Sequence, residues 1–533
     1  MSEWWRDAVI YQIYPKSFKD SNADGFGDLN GITEKLPEIA SLGVDGIWLS
    51  PFYPSPQKDS GYDVSDYYDV DPIFGTIEDF SQMVQKAHEL NLKVLLDLVP
   101  NHTSSAHPWF QNALNSKPGS DAREMYLFAE GRGENGELPP NNWQSMFGGP
   151  AWTRVTEADG SPGQWYCHLF DSSQPDLNWR NPEVVNEFQK IMRFWFELGA
   201  DGFRIDQPHA LIKAVDFPDH PYVEQAGSGF IEGEEDPPMW FQPEVHEILR
   251  QLRQTADESG QKVLCGEGYV LPLSKMAMWL RPDELHQNFN FRFLDAHWVE
   301  SIIKETIDES LDAFSKVGSQ STWTLNNHDV VRSVSRFGTD YSRPTQSDGI
   351  GPNDVQPNNQ LGGEISIGAT LLMLALPGNC YLYQGEELGL PDHTTIPDAD
   401  RQDPTFFRTD GLRVGRDGAR APIPWEAEKP NFGFSKATKT WLPQPKDYGD
   451  YARLGNRTLA IYQAALLLRK KHGLGIGELQ WLNEDIFGFE NSGVRVFHNF
   501  EETDKPMPAG EILISSLGST DSLKPNETVW LVG

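Results

Sequence analysis

Four short stretches carry side chains able to move protons or to bond carbon. They are DLVPNH (Asp97, Asn101, His102), GFRID (Arg204, Asp206), LCGEG (Glu267) and NNHD (Asn327, His328, Asp329). Each closes an apolar run, the place where a strand would leave a sheet. A single Asp there is ordinarily a helix cap and a single His a structural residue; Asp206, Glu267 and Asp329 with two histidines at successive exits form a set. Cleavage of a glycosidic acetal needs such a set: one carboxyl protonates the departing oxygen and another attacks, or activates water at, the anomeric carbon. Arg204 lies two residues before Asp206, on the same strand face, where a guanidinium would keep that carboxylate ionised as a nucleophile requires. Glu267 follows an apolar run between Gly266 and Gly268, surroundings that would leave it protonated as the general acid/base. Asp329 is then placed to bind sugar hydroxyls and distort the ring, with His102 and His328 as neutral hydrogen-bonding partners.

Something must bring residues so far apart in sequence to one place. Eight apolar runs alternate with amphipathic stretches of helical length: AVIYQIY from Ala8, VDGIWLS from Val44, KVLLDLV from Lys93, ADGFRID from Ala200, KVLCGEG from Lys262, LHQNFNF from Leu285, STWTLNN from Ser321 and NCYLYQG from Asn379. That alternation predicts βα units in a parallel sheet, and eight of them predict a closed α/β barrel whose C-terminal rim gathers all the strand exits. Thr76 with Asp79 forms a capping box before one helix, and Asn181–Pro182 starts another that Gly199 stops. The stretch from Thr103 to Asp176 is too long and aperiodic for a connection and predicts a small inserted domain. A second excursion runs from about Leu390 to Tyr448, a helix is expected from Tyr451, and the remainder from Gly473 reads as β-rich. The expected layout is barrel over 1–103 and 177–472, insert over 104–176, and terminal β domain over 473–533.

Composition narrows the partners. The 533 residues carry 44 Lys and Arg against 78 Asp and Glu, a formal charge of -34, which argues against nucleic acid or an anionic membrane as partner. The start MSEWWRDAVI lacks a basic region before an apolar core, and no run of 18 apolar residues occurs, so a cytoplasmic protein is expected. Cys167, Cys265 and Cys380 are odd in number and widely spaced, fitting free thiols. No HExxH, GxSxG or phosphate-binding loop is present. DSNADGFGDL, from Asp20, starts like an EF-hand loop, but the twelfth position, where a bidentate Glu belongs, is Gly31.

DLVPNH, GFRID, the Glu of LCGEG and NNHD resemble the four signature regions of glycoside hydrolase family 13, the α-amylase family. QPDLNW from Gln174 and QGEELG from Gln384 resemble two further family stretches, and the order holds along nearly the whole chain. The opening WWRDAVIYQIYPKSFKDSNADGFGDLNGI is similar to the α-glucosidase and oligo-1,6-glucosidase branch. The resemblance implies a (β/α)8 TIM barrel with a small domain inserted after strand three and a C-terminal β-sandwich. It implies a retaining, exo-acting α-glucosidase using Asp206, Glu267 and Asp329 on short α-glucosides, with transglucosylation as a side path. Tyr62 and Asp63 of a GYDV segment would grip the terminal glucose, joined by an Arg of GRDGARAPIPW, with Arg420 favoured over Arg416. The stretch after strand one would hold a structural divalent cation, Ca2+ or Mg2+, on Asp20, Asn22, Asp24, Asp28 and the carbonyl of Phe26, all oxygen donors suited to a hard ion.

Relatives that prefer α-1,6 bonds often carry Val after the nucleophile and those that prefer α-1,4 a small residue such as Thr, whereas this chain has Gln207, Pro208 and His209. That fits neither habit, and the expectation leans to α-1,4 bonds. The Lys and His of endo-amylases are replaced by His209 and Ala210, which favours exo action. The alternatives are an oligo-1,6-glucosidase, a glucosyl-transferring relative such as a sucrose isomerase or trehalose synthase, and, outside enzymes, the silent ectodomain of a transporter heavy chain. That last reading expects an anchor and lost carboxylates. Monomer and dimer are both compatible with the sequence.

Overall fold

The computed structural model describes residues 3–157, 159–220, 237–339, 349–483 and 485–533. Eight parallel strands form its centre: β1 (Val9–Ile13), β2 (Gly46–Leu49), β3 (Lys93–Leu98), β4 (Gly202–Ile205), β5 (Val263–Gly266), β6 (Gln287–Asn288), β7 (Thr322–Thr324) and β8 (Asn379–Tyr383). They pair in the order β7-β8-β1-β2-β3-β4-β5-β6, and a parallel bridge between Phe289 and Thr322 closes the ring. All eight lie within the apolar runs expected from sequence.

The two-residue period of each strand divides its side chains. Ile10, Trp48, Leu95, Cys265, Phe289 and Tyr381 share a buried cluster inside the ring, while Ile47, Leu49, Val94, Leu96, Phe203 and Leu264 pack outward in the larger core. Continuing the inward phase towards the strand exits places Gln12, Asp97, Arg204, Asp206 and Glu267 above that apolar plug. Register aligns them: Asp97 pairs with Arg204, and Arg204 with Cys265.

Local signals set the helix ends. Thr76 and Asp79 form the reciprocal capping box of Ile77–Glu89, and the Asn181 side chain accepts from Glu183 N at the start of Pro182–Glu197. Gly199, at φ +105°, turns the chain into β4. The helix expected from Tyr451 begins later. Residues Tyr448–Tyr451 form a single 3-10 turn and the α-helix runs Arg457–His472, because Asn456 caps it by accepting from Leu459 N.

After β3 the chain builds a three-stranded antiparallel sheet, Phe128–Ala129, Trp152–Thr156 and Pro162–Cys167, with the last in the middle. Bridges His102↔Asp176 and Tyr126↔Leu177 seat it on the barrel rim. A buried cation locks the join: Lys213 Nζ lies 3.0 Å from Asp176 Oδ2 and donates to Asn101 Oδ1 at 2.7 Å. At the other end, a five-stranded antiparallel sheet (Leu479–Trp481, Phe487–Asn491, Val494–His498, Glu511–Ser515, Thr528–Val532) and a two-stranded ribbon (Lys505–Pro506, Ser522–Leu523) follow the barrel. Trp530 Nε1 donates to Leu371 O, which ties this sheet to the helix before β8. Among the described residues no helix is long and apolar enough to cross a membrane.

Candidate active site

Arg204 organises one half of the rim. Its Nη1 meets Asp97 Oδ1 at 2.7 Å and Asp206 Oδ1 at 2.8 Å, and its Nη2 meets Glu267 Oε2 at 2.5 Å. The guanidinium lies over the ring of Trp48 at 5.0 Å and that of Tyr62 at 5.7 Å. Sequence reasoning paired Arg204 with Asp206 alone; the register of β3, β4 and β5 makes it the shared partner of three carboxyl groups. One positive charge cannot balance three negative ones away from water. Burial therefore pushes all three up, against the pull of Arg204: Asp97 and Asp206 to about 7 and Glu267 to about 8. Asp206 and Glu267 also hydrogen-bond each other, so they sit closer than the gap that an inverting enzyme leaves for water.

The opposite half has the reverse balance. Asp329 Oδ1 is held by Arg420 Nη2 at 2.7 Å and Arg416 Nη1 at 3.0 Å. Burial alone would raise this carboxyl, but His328 first, then Arg416 and Arg420, outweigh it and hold Asp329 well below the usual carboxylate range. Arg416 reaches further, to Asp59 Oδ1 at 2.9 Å and Asp403 Oδ2 at 2.6 Å. Arg420 donates to the carbonyl of His328 and is fully buried behind Asp329, whereas Arg416 keeps about 11% of its side chain exposed. Of the two arginines, Arg416 is the one that keeps an exposed edge, whereas the sequence favoured Arg420.

Tyr62 and the histidines join the halves. The Tyr62 hydroxyl donates to Asp97 Oδ2 at 2.9 Å and lies 2.6 Å from His328 Nε2, with the two rings stacked at 5.3 Å. Gln12 Nε2 lies 2.8 Å from His328 Nδ1. With the amide as donor, the imidazole proton belongs on Nε2, facing Tyr62 and Asp329. Burial pushes His328 well below its ordinary value and His102 down to about 4, so both are neutral near pH 7. His102 faces Gln174 Nε2 and the Tyr62 carbonyl, both at 3.1 Å.

Asp63 is the sequence-predicted residue that does not join. Its carboxylate accepts from Ser55 Oγ, Lys58 N and Asp59 N and closes its own loop. Gly61, at φ +107°, reverses the chain so that Tyr62 faces the barrel and its neighbour faces away. Asp59 takes the place expected of Asp63: it is buried, paired with Arg416 and pushed up to about 6 by burial. Its signal was its position three residues before Tyr62, across that turn. Asp403, in the excursion after β8, had no local signal.

The loop after β1 is closed by hydrogen bonds. Asp20 accepts from Asn22, Ala23 and Gly25 N–H groups and from Ser435, Asp24 accepts from Phe26 N, and Asp28 caps Leu29–Leu42 while accepting from Ser21. Among the described residues no group of three or more acidic, histidine or cysteine side chains converges as a metal cage.

The profile of the α-amylase catalytic domain matches residues 12–476. A probable α-glucosidase of Rhizobium meliloti (strain 1021) is 37% identical over 533 aligned positions, covering 94% of this chain and 90% of that protein. An oligo-1,6-glucosidase of Parageobacillus thermoglucosidasius is 35% identical, covering 88% and 84% respectively. Among solved structures, an α-glucosyl transfer enzyme superposes with a TM-score of 0.84 at 34% identity over 100% of both chains. The rim of carboxyl groups therefore belongs to a glycoside hydrolase: the chain is a member of the α-amylase family, glycoside hydrolase family 13, in its α-glucosidase and oligo-1,6-glucosidase branch.

Proposed function

We propose that the protein is a retaining, exo-acting α-glucosidase that removes terminal non-reducing α-glucosyl units from short oligosaccharides and α-glucosides, with transfer to sugar acceptors as a side reaction. The observation that carries this reading is the pair Asp206 and Glu267, hydrogen-bonded to each other above one shared guanidinium. Asp206 attacks the anomeric carbon and forms a covalent glucosyl ester while Glu267 gives its proton to the departing oxygen. Glu267, now ionised, takes a proton from water, whose oxygen displaces Asp206 with net retention. Their mutual hydrogen bond raises Glu267 and lowers Asp206, as when Glu267 is the donor, which supports giving it the acid's part. Asp329, Asp59 and Arg416 grip hydroxyls of the terminal ring, and Tyr62 and the neutral His102 and His328 line it.

Exo action is supported by what spans the site. Arg416 ties Asp59 to Asp329, and Arg408, from the same excursion, holds Gly148 O and Asp171 of the insert, so one end of the cleft is bridged. A cytoplasmic setting belongs to the proposal and is supported by three buried free thiols. So does the structural cation: the oxygens of Asp20, Asn22, Asp24, Asp28 and the Phe26 carbonyl are chemically right for Ca2+ or Mg2+, which would pin the connection between β1 and Leu29–Leu42. Elemental analysis of protein purified without chelator should find about one such ion per chain; less than about half would remove it.

Initial rates on maltose, isomaltose, sucrose, trehalose and soluble starch test the activity. Release of α-glucose from maltose, slow action on isomaltose and negligible action on starch are expected. Starch cleavage without disaccharide cleavage would overturn exo action, and conversion of sucrose or maltose to an isomeric disaccharide without net glucose would make the enzyme a glucosyl transferase.

A further inference from the structure

Gln207 follows the nucleophile at φ 42°, ψ 48°, a left-handed conformation that residues with a Cβ seldom adopt. Such a departure at the exit of a barrel strand points to a side chain held for a task. The turn swings Gln207 across the rim, so that its Nε2 donates to Glu267 Oε2 at 3.1 Å. The same oxygen lies 2.5 Å from Arg204 Nη2 in an ion pair. An oxygen that accepts an amide N–H and faces a guanidinium is a poor place for a carboxyl proton.

We infer that Gln207 is a positioning residue for the acid/base: with Arg204 it claims Oε2 as an acceptor, confines the transferable proton of Glu267 to Oε1 and eases its departure. This rests on the assignment of Glu267 as the acid given above. During protonation of the leaving group the Oε1–H bond breaks and the departing oxygen gains that proton. The negative charge left on the carboxylate is met by the Gln207 amide and Arg204 at Oε2. The other charged or titratable groups facing Glu267 are Asp206 from β4, Asp97 from β3, Asp329 beyond β7 and Cys265 beneath it on β5. Among the described residues the cation paired with Glu267 is Arg204, so loss of the amide donor leaves that guanidinium to stabilise the ionised acid without it.

The test replaces Gln207 with Met, which keeps the length and discards the donor. A donor to a carboxylate favours its charged form, so its loss should move the alkaline limb of kcat/KM upward by about half to one pH unit. Cleavage of maltose, whose sugar leaving group needs the proton, should fall ~10-fold, while an aryl glucoside with a readily expelled phenolate should lose less than ~3-fold. Gln207→Asn draws the donor back by one methylene; it should shift the limb the same way and serves if Gln207→Met does not fold. An unmoved limb with equal effects on both substrates, in a variant that melts like the wild type, overturns the inference. Glu267→Gln measured in parallel separates the failures. If that variant keeps the alkaline limb, the assignment of Glu267 falls; if it loses the limb while the Gln207 variants do not move it, only the role of Gln207 falls.

Discussion

Two groups of carboxylates face each other across this rim, and they differ in how many guanidinium groups they have. On the β3–β5 side, Asp97, Asp206 and Glu267 share Arg204. On the side formed by the β7 exit and the excursion after β8, Asp329, Asp59 and Asp403 have Arg416 and Arg420 between them. Both groups are largely buried, Asp329 keeping about 26% of its side chain exposed, so burial is not the main difference. The ratio of charges is. One cation among three acids leaves protons bound near neutrality, with values about 7 and about 8; on the other side Arg416 and Arg420 hold Asp403 down at about 2, His328 with the same arginines holds Asp329 well below the ordinary range, and burial raises Asp59 only to about 6. The first side can donate and accept a proton. The second offers fixed charges that grip neutral hydroxyls.

The largest effects should come from the proton-bearing side. Asp206→Asn and Glu267→Gln should each cost at least ~10³-fold in turnover on maltose, the scale of a lost covalent or proton-transfer partner. The comparison sharpens if an activated aryl glucoside restores the first step in Glu267→Gln but not in Asp206→Asn. Near-normal turnover in either variant would break it.

Arg416→Ala probes the gripping side. It removes the link between Asp59 and Asp329, and kcat/KM should fall ~10²-fold, chiefly through KM, as expected when binding common to ground and transition states is lost. Arg416→Lys should recover little, because an ammonium cannot bridge three carboxylates in a planar fork. Loss of turnover at unchanged KM would move Arg416 to the side where bonds break.

How much of this was legible depended on where a residue sits. On strands, period and register did the work: the eight apolar runs located the barrel, and the strand exits pointed at Asp97, Arg204, Asp206, Glu267 and Asp329. Inward phase is readable because a strand alternates. The number of partners of Arg204 was not, since it arises from three strands that are adjacent only once the ring closes. On loops, the reading went wrong by a few residues. The sequence points to Asp63 where the structure pairs Asp59 with Arg416, because the turn at Gly61 decides orientation and has no period. Arg420 was preferred to Arg416, four residues apart on a short helical turn, where the difference lies in which one keeps an exposed edge. The helix starts at Arg457 and not at Tyr451 because Asn456, inside the stretch that reads as one helix, is its cap.

The smallest effect, and the one that separates the two sides most cleanly, is on stability. A carboxyl raised by burial favours the folded state while protonated, and that advantage is lost as pH rises through its folded value. For Glu267 the loss falls between its ordinary range and about 8. Glu267→Gln removes the ionisable group, so it should raise the melting temperature by roughly 1–3 °C at pH 8.5 and change it little at pH 5. Asp329 is held below its ordinary value by His328 and the neighbouring arginines; its ionised form adds stability above the usual carboxylate range, which is lost only as pH falls below that range. Asp329→Asn takes that charge away from Arg416 and Arg420 and should lower the melting temperature by roughly 1–3 °C at both pH 5 and pH 8.5. The same chemical change, carboxylate to amide, thus carries opposite signs a few residues apart in space. Calorimetry of the two variants at both pH values decides it. Equal signs at pH 8.5 would mean that the ratio of guanidinium to carboxyl groups is not what sets the two sides apart.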